Sequence, residues 1–304
     1  MNGKPQSSGT GVPSQGDRAA RLVAIGIAGY LTITLVPLLR HVLAVREVLP
    51  VVVHLATLAI VGASIGFRSA HARTLRGLMP LALVPVLYID LRWLIAGWGR
   101  PHLDATIISW ERILFPGDPS RTLALRFSWL PVSEVLHACY ASYYVIVFAP
   151  PVLLYLRGQR EEYFETTMAL LLVFLMCFSC FQLFPVDGPR YLVGPADAPA
   201  GPIRAAVLYL LQNGSSRGTA FPSSHVAASV VATISALRHQ RRVGYVVALL
   251  AAGLTISTVY GGFHYGVDAL AGLLVGGLAS GAAWKLWGAI PASGSGACDA
   301  GPRR

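Results

Sequence analysis

Eight apolar stretches limit what this chain can fold into. A transmembrane helix needs about 20 mostly apolar residues, and eight segments of the 304-residue sequence approach that length. They span residues 22–39, 49–67, 78–98, 132–156, 166–184, 222–237, 243–260 and 263–287. The sixth is short and contains serines, so its assignment depends partly on its neighbours. We therefore expect an all-α, polytopic membrane bundle of about eight transmembrane helices.

The charge pattern supports a membrane protein and argues against a nucleic-acid partner. Only 12% of the residues are charged, against about a quarter in soluble domains, and 54% are hydrophobic. The formal net charge is +10, but the basic residues lie mainly in short gaps between apolar segments. That distribution is typical of membrane topology signals rather than of a nucleic-acid surface.

The distribution of basic residues also predicts an orientation. Eight spans place both termini on one side, and the loops of that side carry fourteen Lys and Arg residues against nine on the other. Because cytoplasmic loops carry the excess of positive charge, we expect both termini in the cytoplasm. The chain is then an integral protein of the plasma (inner) membrane, and the histidine-containing loops face outward.

The same segments suggest a domain division. We predict a disordered cytoplasmic tail over residues 1–20, two extra N-terminal transmembrane helices over 21–77, a six-helix catalytic domain over 78–288, and a disordered C-terminal tail over 289–304. Pro150 and Pro151 should kink or end the fourth span. In the last span, four glycines should favour close helix packing: Gly272, Gly276, Gly277 and Gly281.

A polar pair in the third span has two interpretations. Asp90 and Arg92 lie near the end of that span. We interpret them as a pair that extends to the membrane interface. The alternative is that they line a pocket.

One polar segment, residues 257–268, carries the strongest chemical signal. His264 and Asp268 are four residues apart at the start of an apolar run, so they share one helix face. A carboxylate next to a histidine fixes its tautomer and prepares it as a base or nucleophile. The alternative is that these polar residues only cap the helix.

Two further segments lie at span ends on the same outward side. Ser223, Ser224 and His225 open the sixth span, and Arg190 follows the fifth. Arg190 offers a bidentate donor fork for phosphate, and the backbone amides at Ser223 and Ser224 would face an anion at a helix N-terminus. His225 could protonate a leaving alkoxide, and His264 could attack phosphorus. The sequence shows no carboxylate cluster with the ligand count of a metal site, so we expect no metal and no cofactor.

These segments resemble the type 2 phosphatidic acid phosphatase superfamily, which includes vanadium haloperoxidases and lipid phosphotransferases. Its pattern is Lys-x6-Arg-Pro, then Pro-Ser-Gly-His, then Ser-Arg-x5-His-x3-Asp. Residues 222–225 read Pro-Ser-Ser-His, and residues 257–268 read Ser-Thr, five residues, His, three residues, Asp. The resemblance implies a six-helix core in which His264 is the nucleophile, His225 the acid and Asp268 the supporting carboxylate.

The chain departs from the family pattern where cations are usual. Leu183 stands at the lysine position, and Thr258 replaces the arginine of the third motif. Tyr191 follows Arg190 where the family has proline. Arg217 or Arg204 could replace a missing phosphate ligand, or both could be solvated loop charges. The Thr258 variant resembles the branch that contains inositol phosphorylceramide synthases, which transfers a phospho-headgroup between lipids.

The sequence therefore predicts a lipid phosphatase or phospho-headgroup transferase that acts through phosphohistidine at the outer membrane face. Its partners would be a lipid phosphate or phospholipid substrate and, for a transferase, a lipid alcohol acceptor. The alternative from another class is a non-catalytic transporter or scaffold that retains the fold. A haloperoxidase is less favoured, because that chemistry is expected on soluble chains with more cationic ligands.

Overall fold

The computed structural model describes residues 13–67, 69–194 and 196–292, and this part of the chain is almost entirely α-helical. In chain order the helices are α1 (Gln15–Val45), α2 (Leu49–Gly66), α3 (Ala70–Trp98), α4 (Asp104–Leu114), α5 (Pro119–Arg126), α6 (Leu130–Ala141), α7 (Tyr143–Leu156), α8 (Arg160–Leu183), α9 (Pro189–Leu192), α10 (Pro202–Gly214), α11 (Ser224–His239), α12 (Arg241–Tyr260) and α13 (Gly266–Ala289). An isolated parallel bridge joins Val186 and Thr219. The predicted all-α membrane bundle is confirmed.

Within the described residues, six helices are long and apolar enough to cross a membrane, namely α1, α2, α3, α8, α12 and α13. The pair α6 and α7 adds a seventh crossing if it is one span bent by 42°. The predicted sixth span is α11, which has 16 residues and is therefore about 24 Å long. Because that is less than the roughly 30 Å of a bilayer core, the number of full-length spans is lower than the eight predicted.

Helix α11 lies among α7, α8, α12 and α13, and glycines let α13 approach it closely. A Cβ atom added at Gly272 or Gly276 would lie 2.7 Å from a carbonyl oxygen of α11 or its N-cap residue. The two positions are four residues apart and share one helix face. The predicted close packing is therefore confirmed at these two glycines. It is wrong for Gly277 and Gly281, which face open space.

The bend in the fourth predicted span lies at Ser142 rather than at the two prolines. Helix α7 continues through Pro150 and Pro151 to its end, and Gln240 Nε2 donates a hydrogen bond to the Pro150 carbonyl (2.9 Å). Ser142 Oγ donates to the carbonyl of Cys139 (2.7 Å). A hydroxyl that bonds back to the preceding turn favours a bend in the helix, which explains the position of the break.

The N-terminal helices pack against the remainder of the bundle. Helix α1 contacts α2, α3 and α8. It begins at Gln15, where Ser14 and Asp17 form a reciprocal capping box, so helix extends into the segment predicted as a tail. Helix α3 begins at Ala70 and includes the predicted boundary between residues 77 and 78. The remaining parts of the predicted tails, 1–12 and 293–304, lie outside the described residues. The domain division stays a prediction.

Candidate active site

Backbone hydrogen bonds join the three sequence motifs at one end of the bundle. Ala220, just before the second motif, donates its N–H to the carbonyl of Val186 in the first (2.9 Å). The Ala220 carbonyl in turn accepts a hydrogen bond from His264 Nδ1 in the third (3.0 Å). Ser223 N–H also donates to the carbonyl of Asp268 (3.0 Å). The expectation that the three motifs meet is therefore consistent with this geometry.

The Ala220 carbonyl determines which nitrogen of His264 is available for chemistry. A carbonyl oxygen can only accept, so His264 Nδ1 carries the proton and Nε2 is the free nitrogen of the neutral ring. Asp268 Oδ2 lies 3.5 Å from the same Nδ1 atom. The side chain of His264 is 7% exposed and that of Asp268 is fully buried. The carboxylate thus adds negative charge beside a ring whose tautomer is already fixed by the backbone.

Asp268 has a second, structural role. Its Oδ2 atom accepts a hydrogen bond from the backbone N–H of Tyr265 (2.8 Å), which caps the start of α13. Its Oδ1 atom is buried and has no hydrogen-bond partner among the described residues. Catalytic and capping interpretations of this residue were alternatives in the sequence. The structure shows that one carboxylate contacts both the histidine and the helix N-terminus.

His225 lies beside His264 in the first turn of α11. The two ring centroids are 5.8 Å apart. Tyr143 packs against the His225 ring at 4.3 Å between centroids, and the Tyr140 hydroxyl lies 3.4 Å from its Nε2. Its Nδ1 atom is buried and without a hydrogen-bond partner in the described part of the chain. Two histidine rings are therefore held close together, tilted by 60° to each other.

Arg190 places a partly unsatisfied guanidinium group next to these rings. Its Nη2 donates to Ser215 Oγ (2.6 Å), and its side chain packs over the ring of Tyr191. Its Nη1 atom is buried and lacks a partner among the described residues. Because a buried cationic group without a partner is costly, this geometry suits a bound anion.

The remaining predicted phosphate ligands occupy different environments. Ser224 lines the same cavity as the histidines. The fully buried Ser223 instead accepts a hydrogen bond from Val226 N–H at its Oγ (3.4 Å), as the N-cap of α11. Arg217 is 62% exposed and pairs with Asp187 Oδ2 (2.8 Å). Of the two arginines proposed to replace missing cations, Arg217 lines the cavity but its charge is already balanced, and Arg204 does not line it.

The cavity that contains the two histidines has a volume of about 980 Å³. Its polar lining includes His102, Asp187, Arg190, Ser224, His225 and His264. Apolar side chains from α3, α7, α8 and α10 line the remainder, among them Val84, Ile89, Phe148, Phe174, Phe178 and Leu210. A cavity with a polar end and an apolar body matches an amphipathic molecule.

Burial keeps His264, which lies in the turn before α13, neutral at physiological pH. Loss of hydration lowers the pKa of His264 to about 4. The hydrogen bond to Ala220 opposes that shift, and the positive charge of Arg190 adds to it. The free Nε2 atom therefore holds an unprotonated lone pair at pH 7, as a nucleophile requires.

Residues 106–282 match the family model described as the PAP2 superfamily. The chain belongs to the PAP2 superfamily. The match covers more than half of the 304 residues, from within α4 to within α13, and it includes all three motifs. No curated protein and no solved structure matches the chain. Membership implies phosphatase or phosphotransferase chemistry, and the apolar helices fit a membrane enzyme of that kind.

In this member, the two residues that stand where the PAP2 superfamily usually has cations lie outside the cavity. Thr258 is fully buried, and its hydroxyl donates to the carbonyl of Thr255 in the preceding turn (2.7 Å). Leu183 is 52% exposed at the end of α8. Neither residue lines the cavity. Arg190 is thus the one guanidinium group, among the described cavity residues, that combines a buried unpartnered nitrogen with a position beside both histidines.

Two carboxylates on α4 hold the motifs in place, and sequence reasoning did not find them. Both oxygens of Asp104 accept backbone N–H groups, from Asp187 (3.0 Å) and Gly188 (2.9 Å). The oxygens of Glu111 accept the N–H groups of Gly266 and Val267, each at 2.9 Å. The available signal was their spacing of seven residues in a short helix, which places both carboxylates on one face.

The fold also assembles a group that no motif spacing predicted. Potential metal-binding atoms of His102, Asp104 and Asp187 lie within 4.8 Å of one another. However, both Asp104 oxygens already accept backbone N–H groups. The Asp187 oxygens accept from His102 and Arg217. Because hydrogen-bond donors satisfy these carboxylates, the donor set does not fit a resident metal ion. We interpret the group as a hydrogen-bonded acid–base cluster.

Proposed function

We propose that this protein is a membrane enzyme that transfers a phosphorus-containing group from a lipid phosphoester through a phosphohistidine at His264. The observation that carries the proposal is the hydrogen bond between His264 Nδ1 and the Ala220 carbonyl, because it leaves Nε2 as the free nitrogen of a ring that lies close to His225. The amphipathic cavity supports a lipid substrate. Its apolar body would hold acyl or prenyl chains, and the phosphate would lie among Arg190, His225 and His264.

The first half-reaction follows from these positions. Arg190 would bind a phosphate oxygen through its unpartnered Nη1 atom, with the amide at Ser224 as a further donor at the N-terminus of α11. The Nε2 lone pair of His264 would attack phosphorus as the bond to the leaving oxygen breaks. His225 would take up a proton as the anionic phosphate binds beside it, and would then donate that proton to the leaving oxygen. Asp268, 3.5 Å from Nδ1, would stabilise the positive charge that develops on the His264 ring.

The balance of charge favours a phosphodiester substrate and hence transfer of a headgroup. Arg217 is paired with Asp187, and Arg92 lines the cavity from α3. Arg190 is the arginine whose charge acts on both histidines. A phosphodiester carries one negative charge, whereas a phosphomonoester carries close to two at pH 7. One cation matches the diester better. This argument agrees with the resemblance of the Thr258 variant to the inositol phosphorylceramide synthase branch, in which a lipid alcohol accepts the headgroup.

The outward orientation of the site is part of the same proposal. It rests on the excess of Lys and Arg in the loops on the side of the termini. That count treats α11 as a crossing of the chain although it is shorter than a full span, because α11 begins beside His264 and ends next to Arg241 at the start of α12. The catalytic turn at His264 lies at the opposite ends of α12 and α13 from Arg241 and Ala289. The enzyme would thus act on lipids of the outer leaflet of the plasma membrane. Protease protection of tags at each terminus in sealed vesicles tests this orientation.

The deciding experiment follows phosphorus in liposomes for the wild type, His264→Ala and the matched control His71→Ala. His71 is exposed near the start of α3 and does not line the cavity. It lies about 40 Å along the helix from Trp98, the last residue of α3. The substrates are phosphatidic acid, polyprenyl pyrophosphate, phosphatidylinositol and phosphatidylglycerol, each with and without a lipid alcohol. A new phospholipid that requires both the alcohol and His264 establishes transfer. Free phosphate without an acceptor establishes a lipid phosphatase. Full turnover by His264→Ala would exclude the phosphohistidine mechanism.

A further inference from the structure

A second histidine–carboxylate pair faces the cavity outside the family motifs. His102 Nδ1 lies 2.7 Å from Asp187 Oδ1. The carboxylate can only accept, so Nδ1 carries the proton and Nε2 is the free nitrogen of the neutral ring. No hydrogen bond to that Nε2 atom occurs within the described residues, and both side chains line the cavity. A histidine oriented through Nδ1 by a carboxylate is the arrangement of a general base.

The carboxylate of this pair is held in a fixed position. Asp187 Oδ1 also accepts the backbone N–H of Gly218 (2.8 Å). Its Oδ2 atom accepts from Arg217 at both Nε (3.0 Å) and Nη2 (2.8 Å). The Asp187 side chain is 6% exposed. Three donors therefore fix the position of the carboxylate beside His102, which is 37% exposed and can exchange a proton with water.

One short segment, residues 218–220, connects this pair to the proposed nucleophile. The N–H group of Gly218 donates to Asp187. Two residues later, the carbonyl of Ala220 accepts a hydrogen bond from His264 Nδ1. The segment pairs with Val186 in the parallel bridge. The backbone groups that hold Asp187 and His264 are thus two residues apart in one segment, and the rings of His102 and His264 line one cavity.

We propose that His102, oriented by Asp187, is the general base that activates the hydroxyl group of the acceptor in the second half-reaction. The inference rests on the proposed phosphohistidine at His264. An oxygen lone pair of the acceptor attacks phosphorus, and the bond between phosphorus and His264 Nε2 breaks, with its electron pair returning to Nε2. The acceptor O–H proton moves to His102 Nε2. The resulting imidazolium is stabilised by Asp187 and releases its proton to water.

This assignment separates the two proton transfers of the cycle. His225 donates to the leaving group in the first half-reaction, in a buried position against Tyr140 and Tyr143. His102 accepts from the incoming hydroxyl in the second, at a more exposed part of the cavity. The donor lipid product and the acceptor then do not compete for one proton-transfer group. An enzyme arranged in this way favours an acceptor that binds beside His102.

The test separates formation of the phosphoenzyme from its discharge. Purified wild type, His102→Asn, His264→Ala and the control His71→Asn are mixed in detergent with a substrate that the wild type turns over, labelled at its phosphorus. The reactions are stopped in base, in which phosphohistidine is stable. We expect His102→Asn to acquire label at the wild-type rate. Its label should then disappear at least about 100-fold more slowly on addition of acceptor, the lower end of the effect of a general base.

A further readout distinguishes a base from a structural residue. Hydroxylamine needs no general base at neutral pH, so it should discharge the label from His102→Asn and wild type at similar rates. In the wild type, the rate at which the acceptor discharges the label should fall as the pH is lowered. This decrease should be absent in His102→Asn. His102→Gln repeats the measurement if the first variant elutes as aggregate in size-exclusion chromatography.

Three results would overturn the inference. One is discharge in His102→Asn at the wild-type rate. Another is loss of label formation in both His102 variants, since the residue would then act before the second step. The third is loss of discharge in the wild type on addition of a chelator, which would assign the cluster to a metal ion. Absence of label in the wild type would instead count against the proposed function itself.

Discussion

His54 on α2 and Asp90 on α3 form a buried pair inside the N-terminal half of the bundle, with Nδ1 and Oδ2 separated by 3.0 Å. Their side chains are 0% and 2% exposed. His54 Nε2 also donates to the carbonyl of Leu31 on α1 (2.8 Å). The pair therefore joins three helices. The predicted interfacial pair of Asp90 and Arg92 is therefore wrong. The alternative, that both line a pocket, holds for Arg92 alone, because Asp90 does not line the cavity.

Removing one member of this pair should destabilise the protein. Asp90→Leu leaves the His54 Nδ1 atom without a partner in an apolar environment, and loss of one partner of a buried pair costs about 3–5 kcal/mol. The double variant with His54→Leu should regain much of that loss. Thermal unfolding in detergent, followed by circular dichroism, measures both. Arg92→Leu is the control: equal destabilisation by this variant would support the interfacial pair instead.

The sequence predicts the residues of the site better than their supports. His264 and Asp268 could be paired because helix geometry brings positions four apart together. The order of the motifs along the spans predicted that Arg190 and His225 would join them. The Ala220 carbonyl could not be predicted, because a backbone partner has no residue-type signature. The same holds for the fold as a whole: apolar length identified the helices, but it could not reveal that α11 is short and enclosed by its neighbours.

Asp268→Asn should lower turnover less than the corresponding change does in a catalytic triad. There, loss of the carboxylate costs roughly 10⁴-fold because the histidine adopts the wrong tautomer. Here the Ala220 carbonyl still requires a proton on His264 Nδ1, so only the charge is lost. We expect a decrease in kcat smaller than that, with lipid binding retained. Steady-state kinetics and vesicle binding test this, with His264→Ala as the inactive reference. A loss as complete as that of His264→Ala would show that Asp268 controls the tautomer.

The effect of His225→Ala should depend on the leaving group. A general acid matters most when the departing oxygen is strongly basic. We expect a loss of about 10²–10⁴-fold with an alkyl ester and a much smaller loss with nitrophenyl phosphate. Comparison of kcat/KM for the two substrates gives the answer. Equal losses on both would assign His225 to binding rather than to proton transfer.

The pH dependence of the first half-reaction should reflect the lowered pKa of His264. Its neutral form is the nucleophile, and burial together with the charge of Arg190 lowers its pKa to about 4. The reactive form is therefore present at neutral pH and is lost only as the pH falls through about 4. The kcat/KM for a nitrophenyl phosphodiester, whose own charge does not change in this range, should therefore stay nearly constant from neutral pH down to about pH 5. Because Asp268 also lies beside the His264 ring, the pH dependence of kcat/KM is measured again in Asp268→Asn. His225 is the other titratable group beside that ring. An acid limb centred near 6.5 in both proteins would contradict a buried, neutral His264.

Glu111 should affect both stability and catalysis although it does not line the cavity. It accepts the N–H groups of Gly266 and Val267 at the start of α13, two residues after His264. Glu111→Gln keeps one acceptor and removes the charge, and a hydrogen bond to a charged group contributes about 1.5–3 kcal/mol. We expect a lower unfolding temperature and a lower kcat, because the turn that positions His264 loosens, with little change in KM. Glu162→Gln, at a partly exposed position in the first turn of α8, is the matched control. If Glu111→Gln lowers the unfolding temperature but leaves kcat unchanged, the capping contact stabilises α13 without positioning the nucleophile.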